Sequence, residues 1–340
     1  MEMNTHPLVS ILIPVYGVEK YIERCARSVF EQTYENLEYI FVDDCTPDKS
    51  IQVLEKVLAE YPQREKQTRI IHHVKNRGIA ATRNTAVESC SGDFLTHVDS
   101  DDWLECNAVE LLVNKQIETG SDIVTANAYE YYGNEEKPCS NGGFDMDRET
   151  ALETMLSLKM NHSLWGRLIK TSLYKNNHIC CEEGVNFAED FQILPLLFYY
   201  ASKVSGISHY IYHYNKENIG SYTTHFENNW ESQRQSMRTC ELVCSFFSSN
   251  NQKYKKILDR AVIKHIHHIL IIASLNKNRV GFDSCKKSLM NYREAWSEIH
   301  WNCYLWRLLE SNMTFLRMIN PIRLLRIHII QYLHKIKELV

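Results

Sequence analysis

The stretch Thr96–Trp103, which reads T-H-V-D-S-D-D-W, decides the fold. An apolar run from Phe94 to Val98 leads directly into three carboxylates, Asp99, Asp101 and Asp102. Carboxylates this close repel one another unless a cation or solvent relieves them. Mg²⁺ and Mn²⁺ are held by one or two carboxylates together with substrate phosphates. Taken alone, the same residues are also typical of an acidic turn that caps a helix, so the surrounding sequence has to decide.

The composition is that of an ordinary globular protein. The chain has 340 residues, 44% of them hydrophobic and 24% charged, and a net charge of −4. General nucleic-acid binding requires a basic face and is not expected. The 11 cysteines form no CxxC pair, which predicts reduced thiols in a cytoplasmic protein. The most apolar later run, Ile266–Leu275, is far shorter than the ~20 residues that cross a bilayer. We therefore expect a cytoplasmic protein that is soluble or peripheral on the inner face of the membrane.

Strand-like and helix-like segments alternate through the amino-terminal part of the chain. Five segments have the β-rich composition of buried strands: Val9–Pro14, Glu38–Val42, Arg69–Val74, Phe94–Val98 and Asp122–Ala126. Helical spacing of apolar residues lies between them, in Ile22–Phe30, in a helix with Ser50 as its N-cap, in Ile79–Ser89 and in Asn107–Thr119. This alternation predicts an α/β protein with a mostly parallel sheet covered on both faces by helices.

The alternation ends after Tyr132. Residues Gly133–Asp147 are polar and rich in turn formers, which predicts a loop. Residues 148–225 mix helix and short strand, and residues 230–340 show only helical periods. We therefore expect a first domain over residues 1–228, with a nucleotide half at about 1–130 and an acceptor half at about 131–228, followed by a helical region at 229–340.

Polar residues follow the ends of the predicted strands. In an open α/β sheet, ligands bind beyond the carboxyl ends of the strands, so these residues are expected to share one edge. The pattern is typical of a nucleotide site, with carboxylates for base, ribose and metal, and basic groups near phosphate. The residues are Pro14, Tyr16, Asp43, Asp44, Asn76, Gly78, Arg83, Asp99, Ser100, Asp101 and Asp102.

Six motifs in this order resemble a family 2 glycosyltransferase of the GT-A fold. They are V-S-I-L-I-P-V-Y at 9–16, Y-I-F-V-D-D at 39–44, N-R-G-I-A-A-T-R-N at 76–84, V-D-S-D-D-W-L at 98–104, W-G-R-L-I-K at 165–170 and A-E-D-F at 188–191. The resemblance covers about residues 7–225. One departure lies after Asp44, where Cys45 stands in place of the family's glycine and leaves the backbone path there open.

The resemblance implies roles for the donor side of the site. Asp44, with Asp43, is expected to contact the uracil of a UDP-sugar, and Asp99 the ribose. Asp101 is expected to bind the Mn²⁺ or Mg²⁺ that bridges the diphosphate, and Asp102 the donor sugar or a water. Further nucleotide-sugar contacts are expected from Pro14, Tyr16, Asn76, Gly78, Arg83 and Ser100.

The resemblance also implies an acceptor side. Asp190 is expected to be the general base, although the adjacent Glu189 leaves open which carboxylate faces the acceptor. Acceptor or donor-sugar lining is expected from Trp165, Glu189, His213 and Ser221. For Trp165 a packing role stays open, and for His213 that of a buried hydrogen-bonded histidine.

Together these implications predict an inverting, metal-dependent transferase that moves a sugar from a nucleotide donor to a hydroxyl of a glycan or lipid-linked glycan. The sequence holds no Q-x-x-R-W motif, which favours one sugar per encounter. The alternatives are a sugar-1-phosphate nucleotidylyltransferase, whose glycine-rich basic loop is missing after the first strand, and an inactive donor-binding scaffold or subunit.

The segment Met313–Val340 reads as a basic amphipathic helix, with five lysines and arginines against one glutamate. Such a helix is typical of contact with an anionic membrane surface. Packing on the domain, or on a second subunit of a homodimer, is the alternative.

Overall fold

The computed structural model describes residues 6–298, apart from residues 144, 219 and 221–225. The chain divides into two compact units: residues 1–224 with 238–243, and residues 225–237 with 244–340. The sequence-based domain boundary after residue 228 stays a prediction.

The first unit contains nine strands in its described residues. They are β1 (Val9–Val15), β2 (Leu37–Asp43), β3 (Thr68–His72), β4 (Phe94–His97), β5 (Trp103–Leu104), β6 (Ile123–Tyr131), β7 (Glu136–Cys139), β8 (Arg167–Lys170) and β9 (Val204–Asn215). The sheet order is β3-β2-β1-β4-β8-β6-β9-β5, with β7 paired to β6. Strands β3, β2, β1 and β4 are parallel to one another, and β6 is parallel to β9. Strand β8 pairs antiparallel with β4 and β6, β5 pairs antiparallel with β9, and β7 pairs antiparallel with β6.

Helices connect these strands. They are α1 (Ile22–Phe30), α2 (Ser50–Leu58), α3 (Ile79–Ser89), α4 (Ala108–Thr119), α5 (Arg148–Leu156), α6 (Thr171–Asn176) and α7 (Glu189–Tyr200). Strands β1 and β2 are buried along their whole length, which explains their nearly continuous apolar sequence. Helix α1 buries the five residues whose spacing predicted it, from Ile22 to Phe30. The predicted α/β class is confirmed.

Several predicted boundaries were wrong. Ser50 is the first residue of α2 and not its N-cap, because Asp48 accepts the Ser50 backbone N–H. Strand β3 ends at His72 rather than Val74, whose side chain is 97% exposed. The predicted loop at Gly133–Asp147 contains β7, which continues a hairpin from β6. Local sequence gave little sign of β7, since it includes Pro138 at the edge of the sheet.

The second unit is helical in its described residues. Both ends of α8 (Trp230–Asn250) belong to this unit, whereas residues 238–243 of the same helix belong to the first unit. Helices α9 (Gln252–Leu275) and α10 (Arg279–Met290) follow. Asn229, Asn251 and Asn278 cap the three helices, each accepting backbone N–H groups of the first turn. A 3₁₀ turn covers Arg293–Glu298. The predicted basic helix at Met313–Val340 lies outside the described residues.

None of the helices in the described part of the chain is both long enough and apolar enough to span a bilayer.

Candidate active site

One buried arginine gathers three of the predicted site residues. Arg83 lies on α3 with only 3% of its surface exposed. Its Nη2 donates to Asp99 Oδ1 at 3.0 Å and lies 3.4 Å from Asp190 Oδ1, while its Nε donates to Glu189 Oε1 at 3.1 Å. These groups are far apart in sequence and meet because the turn after β4 and the first turn of α7 both lie beside Arg83 of α3. We call Arg83, Asp99, Glu189 and Asp190 the Arg83 cluster.

The Arg83 cluster holds more negative than positive charge. Although burial alone would lower the pKa of Arg83, the three carboxylates raise it well above its ordinary value, so the guanidinium stays charged. Burial, followed by repulsion from Asp190, raises the pKa of Glu189 to about 8. Burial also raises the pKa of Asp190. The cluster therefore has a strong affinity for protons or for a further cation.

Asp190 lies between a backbone N–H group and the Arg83 guanidinium. It lies in the first turn of α7, directly after Ala188, whose φ of 60° is in the left-handed region. Its Oδ2 accepts the Leu164 backbone N–H at 3.2 Å, whereas its Oδ1 is buried and accepts no hydrogen bond. Of the two acids, Asp190 has the more exposed side chain, at 20% against 12% for Glu189.

A second buried arginine shapes the loop that contacts Asp190. Arg167 is fully buried and donates to the backbone oxygens of Ser163, Trp165, Asn141 and Asn161. No carboxylate lies within ion-pair distance of it in the described residues, and burial lowers its pKa to about 9. The four carbonyl dipoles hold residues 161–165 in place, and with them the Leu164 N–H.

The three acidic residues after β4 have different surroundings. Asp102 is buried, and its two oxygens accept from Tyr212 Oη at 2.6 Å and from the Asn215 backbone N–H at 2.8 Å. Asp101 is half-buried and accepts from Asn218 Nδ2 at 2.8 Å. Burial and then repulsion from Asp99 raise the pKa of Asp101 to about 6.

These contacts bear on the roles expected for the acidic turn. Because both Asp102 oxygens are used within the protein, a positioning role for Asp102 is favoured over direct contact with the donor, and its donor contact stays a prediction. Tyr212, whose hydroxyl also accepts the Asp99 backbone N–H at 3.1 Å, ties the turn to β9.

The residues around Asp101 suit a hard divalent ion. Asp99 and Asp101 are neighbouring carboxylates, and their repulsion adds to the effect of burial in raising the pKa of Asp101. In the described residues no group of three or more His, Cys, Asp or Glu side chains could hold a metal ion by itself. An ion that takes one or two carboxylates and completes its coordination with phosphate oxygens does not need such a group.

Asp43 and Asp44 end β2 and fix the loops around them. Asp44 is 2% exposed and accepts from His73 Nδ1 and from the backbone N–H groups of Arg77 and Gly78, at 2.7 to 2.9 Å. Asp43 accepts the Thr46 N–H at 2.8 Å and lies 2.9 Å from a ring nitrogen of His72. Asp44 therefore fixes the start of α3, the helix that carries Arg83.

The loop after β2 shows how Cys45 replaces glycine. Cys45 is exposed and has a φ of 58°, the left-handed conformation that glycine adopts without strain. The backbone path is thus the one a glycine would take. Thr46 Oγ1 accepts the Gly17 N–H at 2.8 Å, which joins this loop to the end of β1.

The remaining predicted residues are spread along the same edge. Tyr16, just after β1, is 50% exposed, whereas Pro14 is buried within β1 beside Val42. Asn76 is exposed, Gly78 is buried with a φ of 87°, and Ser100 is 5% exposed. A Cβ on Gly78 would collide with the Asn186 side chain, so only glycine fits there.

Two predicted lining residues are packed among other side chains. Trp165 is 4% exposed and stacks on Tyr212, with ring centroids 4.5 Å apart. His213 stacks on Trp103, and its ring nitrogens lie 2.8 Å from Glu136 and 2.9 Å from Glu105. These contacts match the packing and buried-histidine alternatives, and a lining role for either residue stays a prediction. Ser221 lies outside the described residues.

Sequence reasoning missed the residues that hold the predicted ones in place. Tyr212 and Asn218 lie more than 100 positions from the aspartates they contact, so no local pattern indicated them. His73 could have been found from the sequence, because it directly follows β3, whose end lies beside the end of β2. Arg167 stood in a motif of the resemblance, but its burial could not be read from the sequence.

Comparison with known proteins identifies the family. The profile of "Glycosyl transferase family 2" matches residues 10–183, more than half of the 340-residue chain. The chain therefore belongs to glycosyl transferase family 2, as its motifs predicted. It is 30% identical over 224 residues to the "Uncharacterized glycosyltransferase EpsJ" of Bacillus subtilis (strain 168), a match covering 64% of this chain and 63% of EpsJ. The matched region is thus less than two thirds of that relative.

Two solved structures share the fold. S. aureus TarS 1-349, in complex with UDP, aligns with a TM-score of 0.68 at 19% identity, over 91% of this chain and 89% of that one. The mannosyltransferase PcManGT from Pyrobaculum calidifontis, in complex with GDP-Man and Mn²⁺, aligns with a TM-score of 0.51 at 14% identity, over 92% and 87%. At these identities the likeness shows the GT-A fold alone.

Proposed function

We propose that the protein is an inverting, metal-dependent glycosyltransferase. It moves one sugar per encounter from a nucleotide donor, UDP-linked, to a hydroxyl of a glycan or lipid-linked glycan. The observation that carries this proposal is the Arg83 cluster, in which one guanidinium joins the donor-side Asp99 to the acceptor-side Asp190. The distance from nucleotide to general base is thereby set within one buried network.

The donor side is assigned to the carboxyl edge of the sheet. The uracil is assigned to Asp44 and Asp43 at the end of β2, with Tyr16, half of whose surface is exposed, as a further nucleotide contact. Asp99 contacts the ribose, and Asp101 holds Mn²⁺ or Mg²⁺ beside the diphosphate. Two facts support these assignments: a TarS structure carries UDP, and PcManGT carries GDP-Man and Mn²⁺. When bound, the ion neutralises charge on the leaving diphosphate as a Lewis acid.

Asp190 is assigned as the general base. Its carboxylate takes the proton of the acceptor hydroxyl while that hydroxyl oxygen attacks the anomeric carbon from the side opposite the nucleotide, and the nucleotide leaves. A single displacement of this kind inverts the anomeric configuration. The Leu164 N–H and Arg83 orient this carboxylate, and the Asp190 side chain is 20% exposed, which leaves it accessible to an acceptor. Assistance by a positioned base contributes typically ~10²–10⁴-fold to the rate.

Glu189 is assigned a positioning role in this mechanism. Its Oε1 accepts from Arg83 Nε, and its raised pKa gives it a proton over much of the neutral range. Asp190→Asn is expected to bind donor normally and lose transfer by about 10²-fold or more, measured as sugar-dependent UDP release. Glu189→Gln is the matched variant and is expected to keep most of the transfer. The reverse result would move the base to Glu189.

The rival function is an inactive donor-binding scaffold. Release of UDP from a panel of UDP-sugars with Mn²⁺ separates the two. An enzyme releases UDP from at least one donor, slowly with water alone and faster with acceptor. A scaffold would bind UDP in the presence of metal without any turnover, and that result would contradict the proposal. Contact with the membrane through Met313–Val340, or a homodimer through it, remains part of the proposal.

A further inference from the structure

The second unit carries a charge opposite to that of the whole protein. Between Gln252 and Met290 the sequence has nine lysines and arginines against two aspartates, a net charge of +7. The complete chain has a net charge of −4. Charge asymmetry of this size is typical of a protein that meets an anionic partner with one part of its surface.

Much of this charge lies on one face of α9. Lys253, Lys256, Arg260 and Lys264 are all exposed, and at 3.6 residues per turn they fall within an arc of about 80°. We call these four residues the basic face of α9. The opposite side of the helix, including Leu258, Val262 and Ile269, is buried. Packing of that side therefore fixes the basic face at the surface.

Apolar side chains continue the same face at the end of the helix. Leu275 falls in the arc of the basic face or directly beside it and is 38% exposed. Val280, the second residue of α10, is 71% exposed. It follows the exposed cations Lys277 and Arg279. We call Leu275, Lys277, Arg279 and Val280 the α9–α10 turn. Exposed apolar groups flanked by cations are typical of helices that lie in a membrane interface.

We propose that the basic face of α9 and the α9–α10 turn bind the surface of an anionic lipid bilayer. The cations meet lipid phosphates, and Leu275 and Val280 enter the boundary between headgroups and acyl chains. A soluble polyanion would satisfy the cations but would give the two apolar side chains no apolar surroundings. The surface contains none of the catalytic residues, so it operates even if the proposed reaction is wrong. It also differs from Met313–Val340, which the experiment leaves intact.

The test is co-sedimentation of the full chain with vesicles. Phosphatidylcholine vesicles containing one-third phosphatidylglycerol are expected to bind the protein at low salt, and pure phosphatidylcholine vesicles are not. The triple variant Lys256→Glu, Arg260→Glu, Lys264→Glu is expected to bind at least about 100-fold more weakly, since each cation near an anionic leaflet contributes about fivefold. The control reverses three exposed lysines of the first unit, Lys56, Lys66 and Lys159, and is expected to sediment more strongly than the triple variant.

Two further measurements keep the outcome interpretable. Circular dichroism and thermal unfolding of the triple variant are measured beside the wild type, because Lys256 and Arg260 also have partners within the chain, and vesicle binding is compared at a temperature at which both proteins are folded. Val280→Ser is expected to weaken vesicle binding without changing binding to soluble polyphosphate. The proposal is overturned if wild-type protein ignores anionic vesicles, if the triple variant binds as well as the control, or if Val280→Ser has no effect on vesicles.

Discussion

Removing the guanidinium of Arg83 tests the network that joins the two halves of the site. Arg83→Met keeps an unbranched apolar stem but leaves Asp99, Glu189 and Asp190 facing one another without a cation. Breaking a buried ion pair by removing one partner costs about 3–5 kcal/mol. We expect a loss in this range, which corresponds to a fall in Tm of roughly 10 °C for a domain of this size.

The pH dependence of this loss of stability is the more specific test of the network. A carboxyl whose pKa is raised on folding holds its proton in the native state at pH values where the unfolded chain has released it. Stability from such a group falls as pH rises from its ordinary value toward its native one, for Glu189 from 4.5 to about 8. Arg83 lowers the pKa values of Glu189 and Asp190, so its removal raises both further. The destabilisation is therefore larger at the upper end of this window than at the lower end.

The assay is urea unfolding of wild type and variant at both ends of that window. The matched control is Arg234→Met, which removes an exposed partner of Glu231 and is expected to cost less than about 1 kcal/mol at either pH. A loss for Arg83→Met as small as that of the control, or one that does not vary with pH, would show that the four groups do not form a coupled buried network.

Three other substitutions test separate parts of the site. Asp101→Ala is expected to abolish the gain in UDP affinity that Mn²⁺ provides, measured by calorimetry with and without the ion; an unchanged gain refutes the metal role. Arg167→Met is expected to destabilise the protein by about 3 kcal/mol, since four buried carbonyls lose their donor. It should also lower kcat with little change in UDP affinity, and Arg167→Lys should restore part of kcat. A normal kcat in Arg167→Met would contradict the role of Arg167 in positioning Leu164. Cys45→Val is expected to cost about 1–2 kcal/mol in thermal unfolding because β-branched residues resist a positive φ, whereas Cys45→Gly should cost less than Cys45→Val; equal losses would contradict the observed backbone conformation.

The sequence predicted the central strands β1 and β2 well because they are buried on both faces. Strands β1 and β2 are continuous apolar runs, and no other local structure suits such runs between helical segments. It failed at β7, whose exposed residues and proline give no strand signal. The order of strands beyond β4 was not accessible either, because β8, β6, β9 and β5 pair across long stretches of chain.

For the site, the sequence indicated which acids matter but not how each is held. The residue types at 99, 101 and 190 follow from the chemistry of a metal and a base. The difference between Asp102, with both oxygens used, and Asp190, with one oxygen free of hydrogen bonds, depends on Tyr212, Asn215 and Leu164. Those contacts are set by tertiary packing and could be found only in the folded protein.

The most direct test of the account is a crystal structure of the protein with UDP and Mn²⁺. We predict that the ribose lies against Asp99, that the ion lies between Asp101 and the diphosphate, and that the Asp190 carboxylate faces the position that the donor sugar would occupy. UDP bound at another edge of the sheet, or an Asp190 carboxylate turned away from the diphosphate, would contradict it.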